Sequence, residues 1–129
     1  MPNKFATAIN CMDGRVQRPV AEYMQKVFGV EYIDMITEPG PVKILSDGTD
    51  MPIIESLKKR AGISVERHYT RVIAIVAHYD CLANPVDVDV QKEQLRKAVD
   101  VILSWGFPVE KIIALWVDEN FTVSVTGNT

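Results

Sequence analysis

Val72-Ile73-Ala74-Ile75-Val76-Ala77-His78-Tyr79-Asp80-Cys81 is the stretch on which the fold turns. Its first six residues are apolar without interruption, as expected of a β-strand covered on both faces in a parallel sheet. His78 and Cys81 follow at once, so two soft metal-ligating side chains leave the end of that strand. A second segment repeats the arrangement: a strand-like run through Phe5, Ala6, Ala8 and Ile9 leads into Cys11-Met12-Asp13-Gly14-Arg15. The chain has 2 cysteines and 2 histidines, and these two segments hold both cysteines and one histidine.

Outward from these segments, further strand-like runs fall at about 31-37 and 111-117. Helical spacing separates the strands. Val16, Val20, Tyr23, Met24 and Val27 repeat at three and four residues, with Pro19 suited to a first turn and Gly29 to the stop. Ile54, Leu57, Ala61, Val65 and His68 form a second face, with Asp50 as N-cap and Pro52 in the first turn; Gly62 leaves open a split into two helices. A third pattern runs from about 89 to 105 and ends at Gly106 with Pro108 beyond. Glu38-Pro39-Gly40-Pro41 through Asp50 reads as the longest irregular loop, and Ala83 to Asp87 as the next.

The resulting order of alternating strands and helices predicts a three-layer α/β fold, a mostly parallel sheet in the order 2-1-3-4 with helices on both faces. Phe121, Val123 and Val125, alternating with polar residues, predict an antiparallel edge strand. Residues 1-129 are of ordinary length for one domain. With 47% hydrophobic and 24% charged residues and a net charge of -3, the composition is globular and gives no reason to expect a nucleic-acid partner. The longest apolar runs are far short of the roughly 20 residues of a membrane helix. The N-terminal residues lack a secretory pattern, which points to a cytoplasmic protein in which two cysteines seldom form a structural disulfide.

In a 2-1-3-4 sheet the first and third strands adjoin at the switch point, where open parallel sheets bind ligands. Cys11 would meet His78 and Cys81 there. Two cysteines and one histidine with an open fourth position match catalytic zinc, whereas a structural site would usually show a fourth Cys or His.

The pair C-x-D-x-R and H-x-x-C, each after a strand, resembles the β-class carbonic anhydrases from residue 4 to about 85. The resemblance implies a single zinc-binding domain that hydrates carbon dioxide reversibly to bicarbonate. Cys11, His78 and Cys81 would hold Zn2+, and Asp13 would orient a zinc-bound hydroxide with Arg15 as its partner. It also implies a homodimer or higher homo-oligomer, and an alternative in which Asp13 itself binds zinc. Two departures stand out: Ala77 and Leu82 occupy positions where the family commonly has glycine, and the first strand begins too early for an N-terminal arm to be assigned. Leu82 could narrow the pocket or change which backbone amides face the substrate.

Two rival functions follow from these departures. One is hydrolysis of a sulfur analogue, carbonyl sulfide or carbon disulfide; the other is a non-catalytic zinc or anion-binding module. Plainer readings also exist for the residues: Cys11 and Cys81 as core thiols, Asp13 and Arg15 as a surface ion pair, Asp80 as a turn or solvated carboxylate. Glu38 is an acidic neighbour of the site or a partner for Arg15. His68-Tyr69 reads as a helix end, Lys58-Lys59-Arg60 as a solvated face, and Trp105, Phe107, Trp116 and the methionines as packing residues.

Overall fold

The continuous apolar runs become the inner strands of a five-stranded sheet. In the computed structural model, which describes residues 4-126, β1 (Phe5–Cys11), β3 (Val72–His78) and β4 (Lys111–Val117) are buried along almost their whole length. β2 (Tyr32–Glu38), at one margin of the sheet, is mostly half-buried, and the short β5 (Val123–Val125) closes the other. The order is β2-β1-β3-β4-β5, parallel throughout except for the antiparallel β4/β5 pair. Phe121 is not in the edge strand; it takes a positive φ in the turn before it.

Four helices cover the sheet. α1 (Gln17–Phe28) follows a 3-10 turn at Gly14–Val16 and packs Val20 and Met24 on one face with Ala8, Ala74 and Leu115. α2 (Pro41–Asp47), α3 (Met51–His68) and α4 (Val88–Ser104) pack Leu45, Leu57, Leu95 and Ile102 on the other with Ile9, Ile73 and Ile75. The division follows from topology. The β1-to-β2 crossover and the β2-to-β3 crossover run in opposite directions across the sheet, and crossovers of one hand that reverse direction place their helices on opposite faces.

One expectation needs correction, and the alternative left open at Gly62 is decided. Glu38 to Asp50 is not one long loop, because Pro41–Asp47 is helical, with Pro41 in its first turn and Gly48, at φ +70°, ending it. Gly62 does not split α3, which is continuous; the glycine faces the Phe107 ring, which a Cβ there would meet at 3.4 Å. Asp50 caps α3 as expected, accepting from the Ile53 amide, and Tyr69 ends it in the left-handed conformation.

A buried polar network fixes the C-terminal end of α3 to the sheet. Ser64 Oγ donates to Asp34 Oδ2 at 2.7 Å and lies 2.8 Å from Thr70 Oγ1, while the Thr7 hydroxyl joins both. His68 Nδ1 meets the same Asp34 oxygen at 2.6 Å, and its ring stacks on Phe5 with centroids 3.9 Å apart. This network belongs to the fold and stands apart from the strand tips. Thr7 and Thr70 are fully buried, so Ser64→Ala strips a shared partner from hydroxyls that water cannot reach; we expect a loss of about 1–3 kcal/mol in urea unfolding.

Candidate active site

The strand tips part at the middle of the sheet. β1 stays paired with β2 to Cys11↔Glu38, and β3 with β4 to His78↔Val117, but β1 and β3 pair only over Thr7↔Ile73 to Ile9↔Ile75. Beyond that point the two ladders separate, and Cys11 and His78 emerge into the gap. Cys81 enters from the turn after β3. The candidate ligand atoms of Cys11, His78 and Cys81 lie within 4.8 Å of one another, all three residues are buried, and the two sulfurs are 4.0 Å apart. Among the described residues this is the one group of three or more Cys, His, Asp and Glu side chains able to hold a metal ion.

Each donor is held from behind. His78 Nδ1 lies 2.7 Å from the Tyr79 carbonyl, a contact that requires the proton on Nδ1 and leaves the lone pair on Nε2. That Nε2 is buried and has no hydrogen-bond partner. The His78 carbonyl accepts from Gln91 Nε2 at 3.1 Å, and the Cys11 carbonyl from Gln17 Nε2 at 2.6 Å. Neither glutamine stands out in the sequence, because each sits in a helical pattern where a polar side chain is ordinarily solvated. The Asn10 carboxamide, fully buried, caps the Cys11 amide at 2.8 Å.

The sulfurs are electrostatically unlike. The Cys81 thiol beside Cys11 pulls the Cys11 pKa down to about 4 against the opposing effect of burial, with further help from His78 and from the Gly40 and Asp13 amides. Cys81 moves the other way, because it shares its proton with the Cys11 thiolate and is itself buried. The pair therefore holds one proton at neutral pH. Gly40, with φ +56°, approaches so closely that a Cβ would stand 3.3 Å from the Ala83 Cβ. This close backbone approach brings an amide to sulfur.

A purely tetrahedral zinc site with Zn–S near 2.3 Å separates two sulfurs by about 3.8 Å. The observed 4.0 Å needs a contraction of a few tenths of an ångström. One anionic sulfur, one thiol that gives up its proton when a cation arrives and an unpartnered imidazole nitrogen form a donor set that fits zinc.

Beside the trio, Asp13 and Arg15 form a bidentate pair. Arg15 Nε donates to Asp13 Oδ1 at 3.0 Å, and Nη2 to Oδ2 at 2.6 Å. The guanidinium holds the Asp13 carboxyl down at about 2, so Asp13 is an acceptor across the neutral range. Arg15 also reaches Asp80, which is discussed below. Glu38 is not its partner: Glu38 pairs with Arg60 of α3, which accordingly is not a freely solvated cation. A cavity of about 220 Å³ opens on Cys11 and Asp13, walled by Met12, Pro39, Leu82 and Ala83. Leu82 is 88% exposed, so it borders this cavity from outside and does not fill it. A larger cleft of about 560 Å³ shares Leu82 with it and is lined by Cys81, Tyr79, Trp116 and the acidic Asp80, Asp87 and Glu119.

The sequence matches the family described as "Putative carbonic anhydrase" over residues 1–127. The chain belongs to this carbonic anhydrase family. Solved structures share the fold. β-Carbonic anhydrase isoform I of Trichomonas vaginalis superposes with a TM-score of 0.63 at 16% identity, over 99% of this chain and 87% of that one. A tetrameric β-carbonic anhydrase of the ascomycete Sordaria macrospora gives 0.59 at 9% identity, over 98% and 82%. No curated protein sequence matches the chain. No helix among the described residues is long and apolar enough to cross a membrane.

A donor set that retains one proton predicts a definite stoichiometry. Titrating Zn2+ into metal-free protein at pH 7 in buffers of different ionisation enthalpy should show about one proton released per ion, with affinity falling as pH falls. Release of two protons would mean that the set holds one more than the proton shared by the thiols, either on the second sulfur or on His78, whose pKa is raised, against the opposing effect of burial, by Cys11 beside it.

Proposed function

We propose that the chain hydrates carbon dioxide reversibly to bicarbonate, with Zn2+ held by Cys11, His78 and Cys81 and with Asp13 and Arg15 as the catalytic dyad. One observation carries the reading: an unpartnered His78 Nε2 and two sulfurs converge beside an arginine-held carboxylate, at the end of a small and mostly apolar cavity. Zinc bound there supplies Lewis acidity, which makes water a nucleophile near neutral pH.

The residues of the chain do the rest. Asp13, ionised and fixed by two guanidinium nitrogens, accepts a hydrogen bond from the attacking water and turns a lone pair toward the substrate. Met12, Pro39, Leu82 and Ala83 offer an uncharged wall, which suits a neutral, linear molecule that gives little hydrogen bonding in return. Two sulfur ligands carry more negative charge than neutral imidazoles do. Activity should therefore rise with pH, and the rise cannot come from Asp13, whose carboxyl titrates far below that range.

Stopped-flow hydration of CO2 by fully zinc-loaded protein tests the proposal. Activity should increase between pH 7 and 9, and Arg15→Ala should keep its zinc while losing more than about tenfold in rate, the scale on which outer partners of metal sites act. An unchanged rate with intact metal would remove the dyad from the mechanism. A rate no better than buffer at pH 8.5 would favour a non-catalytic zinc module, and faster turnover of carbonyl sulfide on the same preparation would reassign the substrate.

We also propose a homodimer or larger homo-oligomer, in the cytoplasm, where the two thiols stay reduced. Met12, Tyr79 and Leu82 are each more than half exposed around the mouth of the site, an apolar rim of the kind that marks an association surface. The Sordaria macrospora relative of the same fold is tetrameric. Light scattering after size exclusion should give at least twice the chain mass, and Leu82→Glu should shift it toward the monomer; a native protein that elutes as a monomer would refute the assembly.

A further inference from the structure

The Arg15 guanidinium has a second anchor. Nη2 donates to the Asp80 backbone carbonyl at 3.2 Å, and Nη1 lies 3.4 Å from Asp80 Oδ2. A side chain rooted in the Cys11 segment is thereby fastened to the residue that stands between His78 and Cys81. Asp80 takes φ +59°, one of only three positive values at non-glycine positions among the described residues. Asp and Asn carry this left-handed conformation more readily than other side chains do, and here it is the conformation in which the Asp80 carbonyl meets the guanidinium. The Asp80 side chain is 58% exposed and its contact is the longer of the two, so the ion pair by itself would contribute little. The turn-borne carbonyl is the firmer hold.

We propose that Asp80 is a positioning residue: its left-handed turn presents a carbonyl and a carboxylate that hold Arg15 against Asp13 and tie the two metal-binding segments together. Arg15 is 47% exposed, and without Asp80 it keeps Asp13 as its one anchor and swings with it. The inference rests on the proposed role of Asp13 in hydration, and it extends that role to a residue outside both the donor set and the dyad. Plain turn-forming or solvated duty, the reading its sequence position suggests, leaves both Arg15 contacts unexplained.

A double-mutant cycle separates this role from mere support of the turn. Asp80→Ala removes the carboxylate and disfavours the left-handed turn that aims the carbonyl; in zinc-loaded protein it should lower kcat/KM for hydration by about tenfold when Arg15 is present and by less than about twofold when Arg15 is already Ala, because residues that act through one another do not add. Asp80→Asn, which accepts the left-handed backbone and keeps an acceptor oxygen, should recover most of the loss. Independently of activity, the Arg15 Nη–H resonances in 1H–15N NMR, which belong to the donors that face Asp80, should exchange with water at least about fivefold faster in Asp80→Ala than in the native protein, since a hydrogen-bonded donor exchanges through opening. Equal losses in both backgrounds, or an unaltered Arg15 exchange rate, would overturn the assignment. Absence of hydration by the native protein would remove the proposed function alone, and the exchange measurement would still decide whether Asp80 holds Arg15.

Discussion

Everything at the site depends on the early end of one strand ladder. β1 and β3 share only the register from Thr7↔Ile73 to Ile9↔Ile75, while their outer neighbours hold them to the last residue. The outer pairings are what make the gap possible, since a strand tip released on both sides would fray and lose its direction. Held on one side, Cys11 and His78 keep fixed backbones while their side chains lean into a space that contains no sheet hydrogen bonds. The direction of crossover reverses at this point: α1 lies on one face and α2 to α4 on the other.

The donors in that gap are poorly satisfied without an ion. A buried imidazole nitrogen has no partner, and two buried sulfurs share one proton. Leaving a buried acceptor unpaired costs about 1–3 kcal/mol, and a buried thiolate costs more. The surroundings answer this with dipoles: amides of Gly40 and Asp13 at Cys11, and of Ala83 and Asn84 at Cys81. Gln17 and Gln91 then hold the carbonyls of Cys11 and His78 so that the donors cannot rotate outward. A site prepared in this way loses little conformational freedom when a cation enters, which favours affinity and keeps the geometry strict.

Much of this was legible in the sequence because the signals were local. Val72 to Ala77 is too continuously apolar for a half-exposed strand, and Cys11, His78 and Cys81 follow their runs directly, so sheet order and the converging trio come from pattern alone. What was not legible was either too short or too distant. α2 has only seven residues, with Val42 and Leu45 as its main buried apolar positions, and it starts in Pro39-Gly40-Pro41, residues that ordinarily mark a turn. The Glu38–Arg60 pair joins β2 to α3 across 22 positions, and no local periodicity chooses it over an Arg15 partner. Gln17 and Gln91 look like solvated helix positions until the tertiary fold brings a carbonyl to each.

The chemistry offered to a substrate then follows from which directions are closed. Three directions about the trio belong to Cys11, His78 and Cys81, and no fourth Cys, His, Asp or Glu among the described residues joins the group. Asp13 stands next in line, and a carboxylate left free there would compete for the cation. Its oxygens are instead taken by the guanidinium fork and by the Arg15 amide at 2.9 Å. The arginine therefore keeps Asp13 anionic and fixes its orientation, while three donors on about four lone-pair sites leave the carboxylate room to accept one hydrogen bond more. The cavity that opens on Cys11 and Asp13 is walled by the uncharged Met12, Pro39, Leu82 and Ala83, so a neutral molecule reaching the group from that side crosses a mostly apolar surface.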